Sequence, residues 1–197
     1  MRIISGEYKS RRLKSPPDDA TRPIPDRVKE SLYNLLRGHV EGVNVFDGFA
    51  GTGSIGLEAL SRGAEFCTFV ERDKAAAALL RENIETLGAG DRSDVVTGDA
   101  LGPSALSRAR RPLHLAFLDP PYPLWESEQG RDRIMRQGAA LAAILDEGGF
   151  LVIRTPWPAS TGPIEEQTEI DLRHEGLLGP ETHEYGTTAL HFYAPRR

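Results

Sequence analysis

The stretch Val43-Asn44-Val45-Phe46-Asp47-Gly48-Phe49-Ala50-Gly51-Thr52-Gly53 decides the fold. Its first five residues read as a strand, and residues 51–56 then match the G-x-G-x-x-G pattern. Glycines at such a turn permit a sharp change of direction and a close approach of the backbone to a ligand. The stretch therefore predicts a strand-to-helix turn that binds a nucleotide-like cofactor. Taken alone, it fits nicotinamide enzymes, methyltransferases and a turn without any ligand.

Strand-like and helix-like segments alternate along the rest of the chain. Strands are expected at 43–47, 66–71, 94–97, 113–118 and 150–154, and helices after Gly53, at 74–87 and at 131–145. This alternation predicts an α/β fold with a parallel, helix-covered sheet of the Rossmann-like type. Segments 169–172 and 188–193 predict an antiparallel strand pair at one edge. Residues 2–14 predict a short hairpin that turns near Gly6.

Three acids follow predicted parallel strands, at the edge where α/β sheets bind ligands. Asp47 can accept hydrogen bonds from a cationic amino group, as in methionine, whereas it would repel a pyrophosphate. Glu71, at the end of the second strand, can accept from both ribose hydroxyls. Asp99, after the third strand, can accept from an adenine amino group. Each acid alone is more often a cap or a surface residue, but together they favour S-adenosylmethionine over a dinucleotide.

The loop Asp119-Pro120-Pro121-Tyr122 follows the fourth predicted strand and lies on the same edge. Proline removes backbone donors and stiffens the loop, so the Asp119 carboxylate and the Pro120 carbonyl are free to accept from one NH2 group. Two acceptors orient that amine with its lone pair toward a methylsulfonium. Tyr122 offers a ring on which a flipped base can stack. A rigid proline turn is the alternative, but after the glycine turn the loop favours methyl transfer to nitrogen.

Composition and charge restrict the class further. The 197-residue chain has a net charge of −5, which argues against a uniformly basic nucleic-acid-binding protein. Residues 1–14 nevertheless carry five basic side chains against one acid, and such an arm can meet a phosphate backbone. A solvated surface segment explains the same charges.

With a single cysteine, Cys67, and no ligand spacing among the five histidines, we expect no metal site. No apolar run predicts a secretory signal or a membrane span, so we expect a cytoplasmic protein.

Several further segments carry a family resemblance. They are residues 1–13, 21–23, 26–34, 46–53, 56–64, 69–73, 119–122 and 185–190. With these segments the chain resembles, over nearly its whole length, the RsmD family of 16S ribosomal RNA guanine-N2 methyltransferases. The glycine turn and the 119–122 loop are shared by many amino methyltransferases. The N-terminal segments are more family-specific and decide the substrate class.

The resemblance implies a seven-stranded S-adenosylmethionine-dependent methyltransferase sheet, with residues 1–38 as an RNA-binding extension and 39–197 as the catalytic domain. It implies a monomer whose partner is 16S ribosomal RNA, in a small ribosomal subunit or an assembly intermediate. The implied cofactor-binding residues are Asp47, Gly48, Phe49, Gly51, Gly53, Glu71, Arg72, Asp99 and Ala100. The implied catalytic residues are Asp119, Pro120 and Tyr122, and the implied substrate-binding residues are Arg2, Lys9, Arg11, Arg12, Arg22 and Tyr122. The chain departs from the family at Arg154, where family members often carry an acid.

Three other hypotheses stay open. The protein could be an amino methyltransferase that acts on a DNA adenine or cytosine, or on a protein glutamine, because the same loop can orient any of those amines. Against DNA, we see no added target-recognition domain in the 197 residues, and a basic arm alone gives affinity but little sequence readout. It could be a non-catalytic RNA-binding protein of ribosome assembly, although the intact loop argues against that. It could be a nicotinamide-dependent oxidoreductase, which Asp47 and the 119–122 loop fit poorly.

Overall fold

The computed structural model describes residues 1–16, 24–161 and 168–196. In these ranges the strands are β1 (Asn44–Gly48), β2 (Phe66–Glu71), β3 (Ser93–Thr97), β4 (Leu113–Leu118), β5 (Leu145–Pro156), β6 (Ser160–Thr161), β7 (Thr168–Glu169), β8 (Leu177–Tyr185) and β9 (Thr188–Pro195). Seven of them form one sheet in the order β3-β2-β1-β4-β5-β9-β8, and β6 pairs with β7 alone. Strands β1 to β5 are parallel, and β9 runs antiparallel between β5 and β8. The predicted α/β sheet with an antiparallel edge pair is confirmed.

Helix α1 (Asp26–Leu35) precedes β1. The helices between the parallel strands are α2 (Ser54–Ser61), α3 (Lys74–Leu87), α4 (Pro103–Arg108), α5 (Pro123–Glu126) and α6 (Glu128–Ala142). Helix α3 has the bounds predicted from the sequence, because both ends carry strong signals. The Asp73 side chain accepts from the Ala76 N–H at 2.8 Å, and Gly88 ends the helix in the left-handed conformation. Helices α4 and α5 were not predicted, since four to six residues are too few to display a helical repeat.

Buried side chains cover the two faces of the sheet in two clusters. One cluster joins the N-terminal segment and helices α1 to α3 to the sheet, with Ile3, Leu32 and Leu57 among its members. The other joins helices α4 to α6 to the sheet and includes Phe46 and Ile134. Because both faces are covered, the parallel strands are apolar along most of their length. Their carboxyl ends are left as the edge that can hold polar groups.

Three predicted elements have wrong bounds in the second half of the chain. The helix expected at 131–145 spans Glu128–Ala142, because Ser127 caps it by accepting from the Gly130 N–H at 3.0 Å. Leu145 instead begins β5, which was expected only from residue 150. The strand expected at 169–172 is also displaced, since only Thr168–Glu169 is extended there and the edge strand is β8. Pro180 and a register shift between Leu178 and Glu181 hide the alternation of β8 in the sequence.

The N-terminal segment, residues 1–16, folds against the sheet domain. The predicted hairpin is closed by one antiparallel bridge between Arg2 and Arg12, and the turn spans residues 5–10. Ile3 and Tyr8 are buried in the first of the two clusters. The carboxylate of Glu58, on α2, accepts from the Ile4 N–H at 2.8 Å and from the Ser5 N–H at 3.0 Å. The segment is therefore attached to the helix that follows the glycine turn.

Candidate active site

A cavity of about 910 Å³ lies at the carboxyl ends of β1, β2 and β4. Asp47, Glu71 and Asp119 all line it, and they come from those three strands or from the residue directly after one. Asp47 is paired in register with Phe69 of β2 and Phe117 of β4, so the three acids converge as the predicted parallel order requires. A cavity of this size can hold a cofactor together with part of a substrate.

Asp47 is the most deeply buried acid of the cavity, with 1% of its surface exposed. Its Oδ2 accepts from the Gly56 N–H at 2.8 Å, in the first turn of α2, where backbone donors have no helical partner. Its Oδ1 is buried, and no donor among the described residues reaches it. Burial, together with the nearby carboxylates of Asp119 and Glu71, raises the pKa of Asp47 to about 7, although the hydrogen bond from Gly56 opposes the rise. Asp47 is thus prepared to accept from a cationic donor entering the cavity.

Glu71 and the glycine turn form the adjoining wall. Glu71 Oε2 accepts from the Gly51 N–H at 2.8 Å, and its Oε1 accepts from the Asp73 N–H at 2.7 Å. Gly51 has a φ of +56°, and a Cβ atom there would meet nothing within 4 Å. The turn therefore presents bare backbone to the cavity. Phe49 also lines the cavity and has a φ of +64°, a conformation that is costly for a residue other than glycine.

Asp119 is bound by an arginine that was noted in the sequence only as a departure from the family pattern. Arg154 Nε donates to Asp119 Oδ1 at 2.6 Å, and the two side chains are 8% and 14% exposed. The pairing of Leu118 with Ile153 brings the residue after β4 next to Arg154 on β5. Burial raises the pKa of Asp119, and the Arg154 guanidinium partly offsets that rise.

Most of the predicted cofactor and catalytic residues lie together. Those that line the cavity are Asp47, Phe49, Gly51, Glu71, Arg72, Asp119, Pro120 and Tyr122. Sequence reasoning missed several residues of the same wall, namely Met1, Ile24, Thr52, Lys74, Ala75 and Arg154. Position at a strand end could have indicated Arg154, and position at a helix start could have indicated Lys74 and Ala75. Nothing in the sequence indicates Met1, because the folding of residues 1–16 against the glycine turn brings it there.

Four other predicted cofactor residues do not line the cavity. Gly48, Gly53 and Ala100 are buried or face other side chains. At Gly53, where φ is +89°, a Cβ atom would lie 2.5 Å from the Leu80 side chain, so this glycine is required by helix packing. Asp99 forms an ion pair with Arg133 of α6 at 2.7 Å and also accepts from the Leu101 N–H at 3.0 Å. In this structure its carboxylate is engaged by the protein.

Of the predicted substrate-binding residues, Tyr122 lines the cavity, whereas Arg2, Lys9, Arg11 and Arg12 lie on the outer face of the N-terminal segment. Arg2 pairs with Asp26 at 2.9 Å, and Arg11 donates to the Thr86 carbonyl at 2.9 Å. Lys9 and Arg12 are exposed. Arg22 falls outside the described residues. The four described cations therefore face solvent rather than the cavity.

The sheet order, with β9 antiparallel between β5 and β8, and the acidic edge beside a glycine turn define the class. The class is that of the Rossmann-like α/β methyltransferases.

Within the ranges that the structure describes, no helix is both long and apolar enough to cross a bilayer.

Comparisons with known proteins agree with this class. The family model described as "Conserved hypothetical protein 95" matches residues 1–193. A Bacillus subtilis (strain 168) protein named "Putative rRNA methyltransferase YlbH" is 33% identical over 208 residues, which cover 100% of both chains. The Escherichia coli (strain K12) protein named "Ribosomal RNA small subunit methyltransferase D" is 40% identical over 122 residues, which cover 62% of this chain and 60% of that protein.

A solved structure shares the whole architecture. It is titled "Putative methyltransferase yhhF from Escherichia coli" and superposes with a TM-score of 0.73 at 28% identity, over 100% of this chain and 98% of the other. The protein belongs to the family of ribosomal RNA small subunit methyltransferase D. The family model reported above represents this family, and it matches nearly the whole chain. The family membership expected from the sequence motifs is confirmed.

Proposed function

We propose that the protein transfers a methyl group from S-adenosylmethionine to the exocyclic N2 amine of a guanine in 16S ribosomal RNA. The observation that carries the proposal is the meeting, in one cavity, of the 119–122 loop with the carboxylate of Asp47, one oxygen of which has no partner in the described ranges. The names of both relatives support ribosomal RNA as the substrate class, and the name of the Escherichia coli relative supports the small subunit. The N2 amine is the finer part of the proposal, and it rests on the family resemblance.

The cavity fits S-adenosylmethionine on several counts. Asp47 Oδ1, which lacks a donor among the described residues, suits the ammonium group of the methionine moiety. Glu71 and Arg72 lie where the ribose would rest, and the bare backbone at Gly51 permits close contact with the cofactor. Asp99 can contact the cofactor only if its ion pair with Arg133 breaks. That pair is exposed, so breaking it costs little free energy. Gly48, Gly53 and Ala100 would support the residues of the cavity wall without contacting the cofactor.

The residues around the target amine act mainly by orientation and electrostatics. When bound, the cofactor supplies an electrophilic methyl group on a sulfonium. Asp119 and the Pro120 carbonyl accept hydrogen bonds from the two N–H groups of the amine, which turns the nitrogen lone pair toward the methyl group. During the transfer, the Asp119 carboxylate would stabilise the positive charge that develops on the amine nitrogen and would accept one of its protons. Tyr122 stacks on the guanine, which must leave its helix to reach the loop.

The RNA would lie across the N-terminal segment. Arg2, Lys9, Arg11 and Arg12 face solvent there and would contact phosphates. In this proposal residues 1–38 act as the RNA-binding extension of the catalytic domain formed by residues 39–197. Arg22 belongs to the same set, either at the mouth of the cofactor site or on the RNA. The protein would act as a monomer in the cytoplasm, on the small subunit or an assembly intermediate.

A transfer assay tests the proposal. The protein is incubated with S-adenosylmethionine that carries a labelled methyl group and with small ribosomal subunits that lack their native modification. The RNA is then digested to nucleosides. Label in N2-methylguanosine is the expected result, and the Asp119→Ala variant serves as the inactive control. If cofactor binds but no nucleoside is labelled, the substrate assignment is wrong, and DNA and protein glutamine acceptors are assayed next.

A further inference from the structure

The buried ion pair between Arg154 and Asp119 has no part in the mechanism described so far. Its two side chains lie 2.6 Å apart, from Arg154 Nε to Asp119 Oδ1, and both line the cavity. This bond engages one carboxylate oxygen of Asp119, and no donor from the part of the chain that the structure describes bonds to Oδ2. Arg154 therefore fixes the rotation of a carboxylate whose second oxygen can accept from the target amine.

The surroundings of Asp119 make a neighbouring cation important. Asp119 is largely buried, and Asp47 is a second buried acid in the same cavity. The other residues of the wall that carry titratable or charged groups are Met1 (at its amino terminus), Glu71, Arg72, Asp73, Lys74, Tyr122 and Arg154. Burial raises the pKa of Asp119, which favours its protonation, and the Arg154 guanidinium lowers that pKa. A protonated carboxyl would offer the amine one acceptor fewer and could not take up its proton.

Stability gives a weak reason for this pair to exist. A buried ion pair contributes little net free energy of unfolding, because desolvation of the two charges offsets their attraction. The partners lie on the wall of a cavity rather than in the packed core, and Tyr122 of the same loop is near enough to act on the charge of Arg154. Position and energetics both favour a functional role.

We propose that Arg154 is a positioning residue, which orients the Asp119 carboxylate and maintains its charge so that Asp119 can accept from the target amine. The inference rests on the proposed methyl transfer, since it acts through Asp119. It assigns a role to a side chain on β5, a strand that otherwise contributes nothing to the transfer chemistry.

The first test is the pH dependence of transfer by Arg154→Gln and Arg154→Lys. In Arg154→Gln, kcat at pH 6 should fall by about tenfold or more, with part of the loss recovered at pH 8.5, because the acidic limb of the profile moves upward. The dissociation constant of the cofactor should change little. Arg154→Lys should restore part of kcat, since it keeps the charge but not the planar fork. Arg108→Gln is the matched control, because it removes an exposed 2.6 Å pair with Asp94 and should leave the profile unchanged.

A double-mutant comparison separates positioning from a loss of folding. In an Asp119→Asn background, adding Arg154→Gln should cause little further loss of kcat if Arg154 acts through Asp119. Equal losses from Arg154→Gln in both backgrounds, or an acidic limb that does not move, would overturn the proposal.

A measurement without RNA keeps this inference distinct from the proposed function. The carboxyl carbon of Asp119 can be followed by NMR in the free protein, with its signal assigned through Asp119→Asn. Its pKa should be higher in Arg154→Gln than in the wild type and should be unchanged in Arg108→Gln. If the wild type transfers no methyl group, the proposed function is wrong, whereas an unchanged Asp119 titration in Arg154→Gln contradicts the role of Arg154 itself.

Discussion

At the scale of single residues, Asp47 combines two tasks. One of its oxygens caps the first turn of α2 through the Gly56 N–H, and the other is buried without a donor among the described residues. The first contact orients the carboxylate, so the second oxygen is held ready for a ligand. Because the carboxylate is buried, its pKa is raised in the free protein, and this makes the site sensitive to pH.

The pH dependence of cofactor affinity follows from the pKa of about 7 for Asp47. An ammonium group binds the ionised carboxylate, which predominates above pH 7, so binding below pH 7 must displace a proton. We expect the dissociation constant of S-adenosylmethionine to be about tenfold larger at pH 6 than at pH 8. Asp47→Asn should weaken binding at pH 8 and abolish most of this dependence in calorimetry. Asp94→Asn, which changes a half-buried acid on β3 outside the cavity, is the control, and a pH dependence in Asp47→Asn equal to that of the wild type would refute the assignment.

The same pKa has a consequence for stability without ligand. Because burial raises the pKa of Asp47 above that of the unfolded chain, its contribution is fully present below about pH 4 and is lost as the pH rises through 7. Asp47→Asn should therefore reduce the fall in unfolding free energy between pH 4 and pH 7, relative to wild type. Denaturant titrations at a series of pH values measure this difference. Parallel curves for the two proteins would show that Asp47 is ionised normally.

At the scale of elements, Glu58 links three segments. It is fully buried on α2, forms ion pairs with Lys29 of α1 at 3.3 Å and with Arg62 at 2.8 Å, and accepts from two backbone donors of the N-terminal segment. Burial lowers the pKa of Lys29, and Glu58 counteracts that change. Since Met1 lines the cavity, this link also holds part of the cavity wall in place.

Glu58→Gln tests this link, because it removes the charge with little change in shape. It leaves Lys29 buried beside a neutral group, so we expect a loss of about 3 kcal/mol in unfolding free energy. Amide hydrogen exchange should become faster in residues 1–16. Glu82→Gln is the matched control, since its pair with Lys14 is 50–59% exposed and should contribute less than about 1 kcal/mol. Equal effects of the two substitutions would argue against a specific attachment at Glu58.

At the scale of the whole molecule, charge is distributed unevenly. The chain is acidic overall, whereas the exposed face of residues 1–14 is basic. Reversal of Arg11 and Arg12 to Glu should therefore weaken RNA binding at low salt, and the salt dependence of the remaining affinity should be smaller. Reversal of Arg173, an exposed arginine paired with Asp171, is the control. If both variants bind RNA as the wild type does, the basic face is not the RNA contact.

The sequence was sufficient wherever signals are local or depend on strand order alone. The glycine turn and the positions of Asp47, Glu71 and Asp119 at one sheet edge follow from alternation and from the rule that ligands bind at carboxyl ends. The Arg154–Asp119 pair was not predictable, because it depends on the register of β4 with β5. Long-range folding of the N-terminal segment likewise determines the position of Met1. At Gly53 the glycine pattern indicated ligand contact, whereas close packing against Leu80 explains the residue.

The most direct test of the central claim is a crystal structure of the protein with S-adenosylhomocysteine. We predict that the ligand amino group lies within hydrogen-bond distance of Asp47 Oδ1, that its ribose hydroxyls contact Glu71, and that its sulfur faces Asp119. That result would place the methyl group of the cofactor beside the loop that orients the amine. A ligand bound elsewhere, or with its sulfur directed away from Asp119, would contradict the claim that this edge of the sheet is the methyl-transfer site.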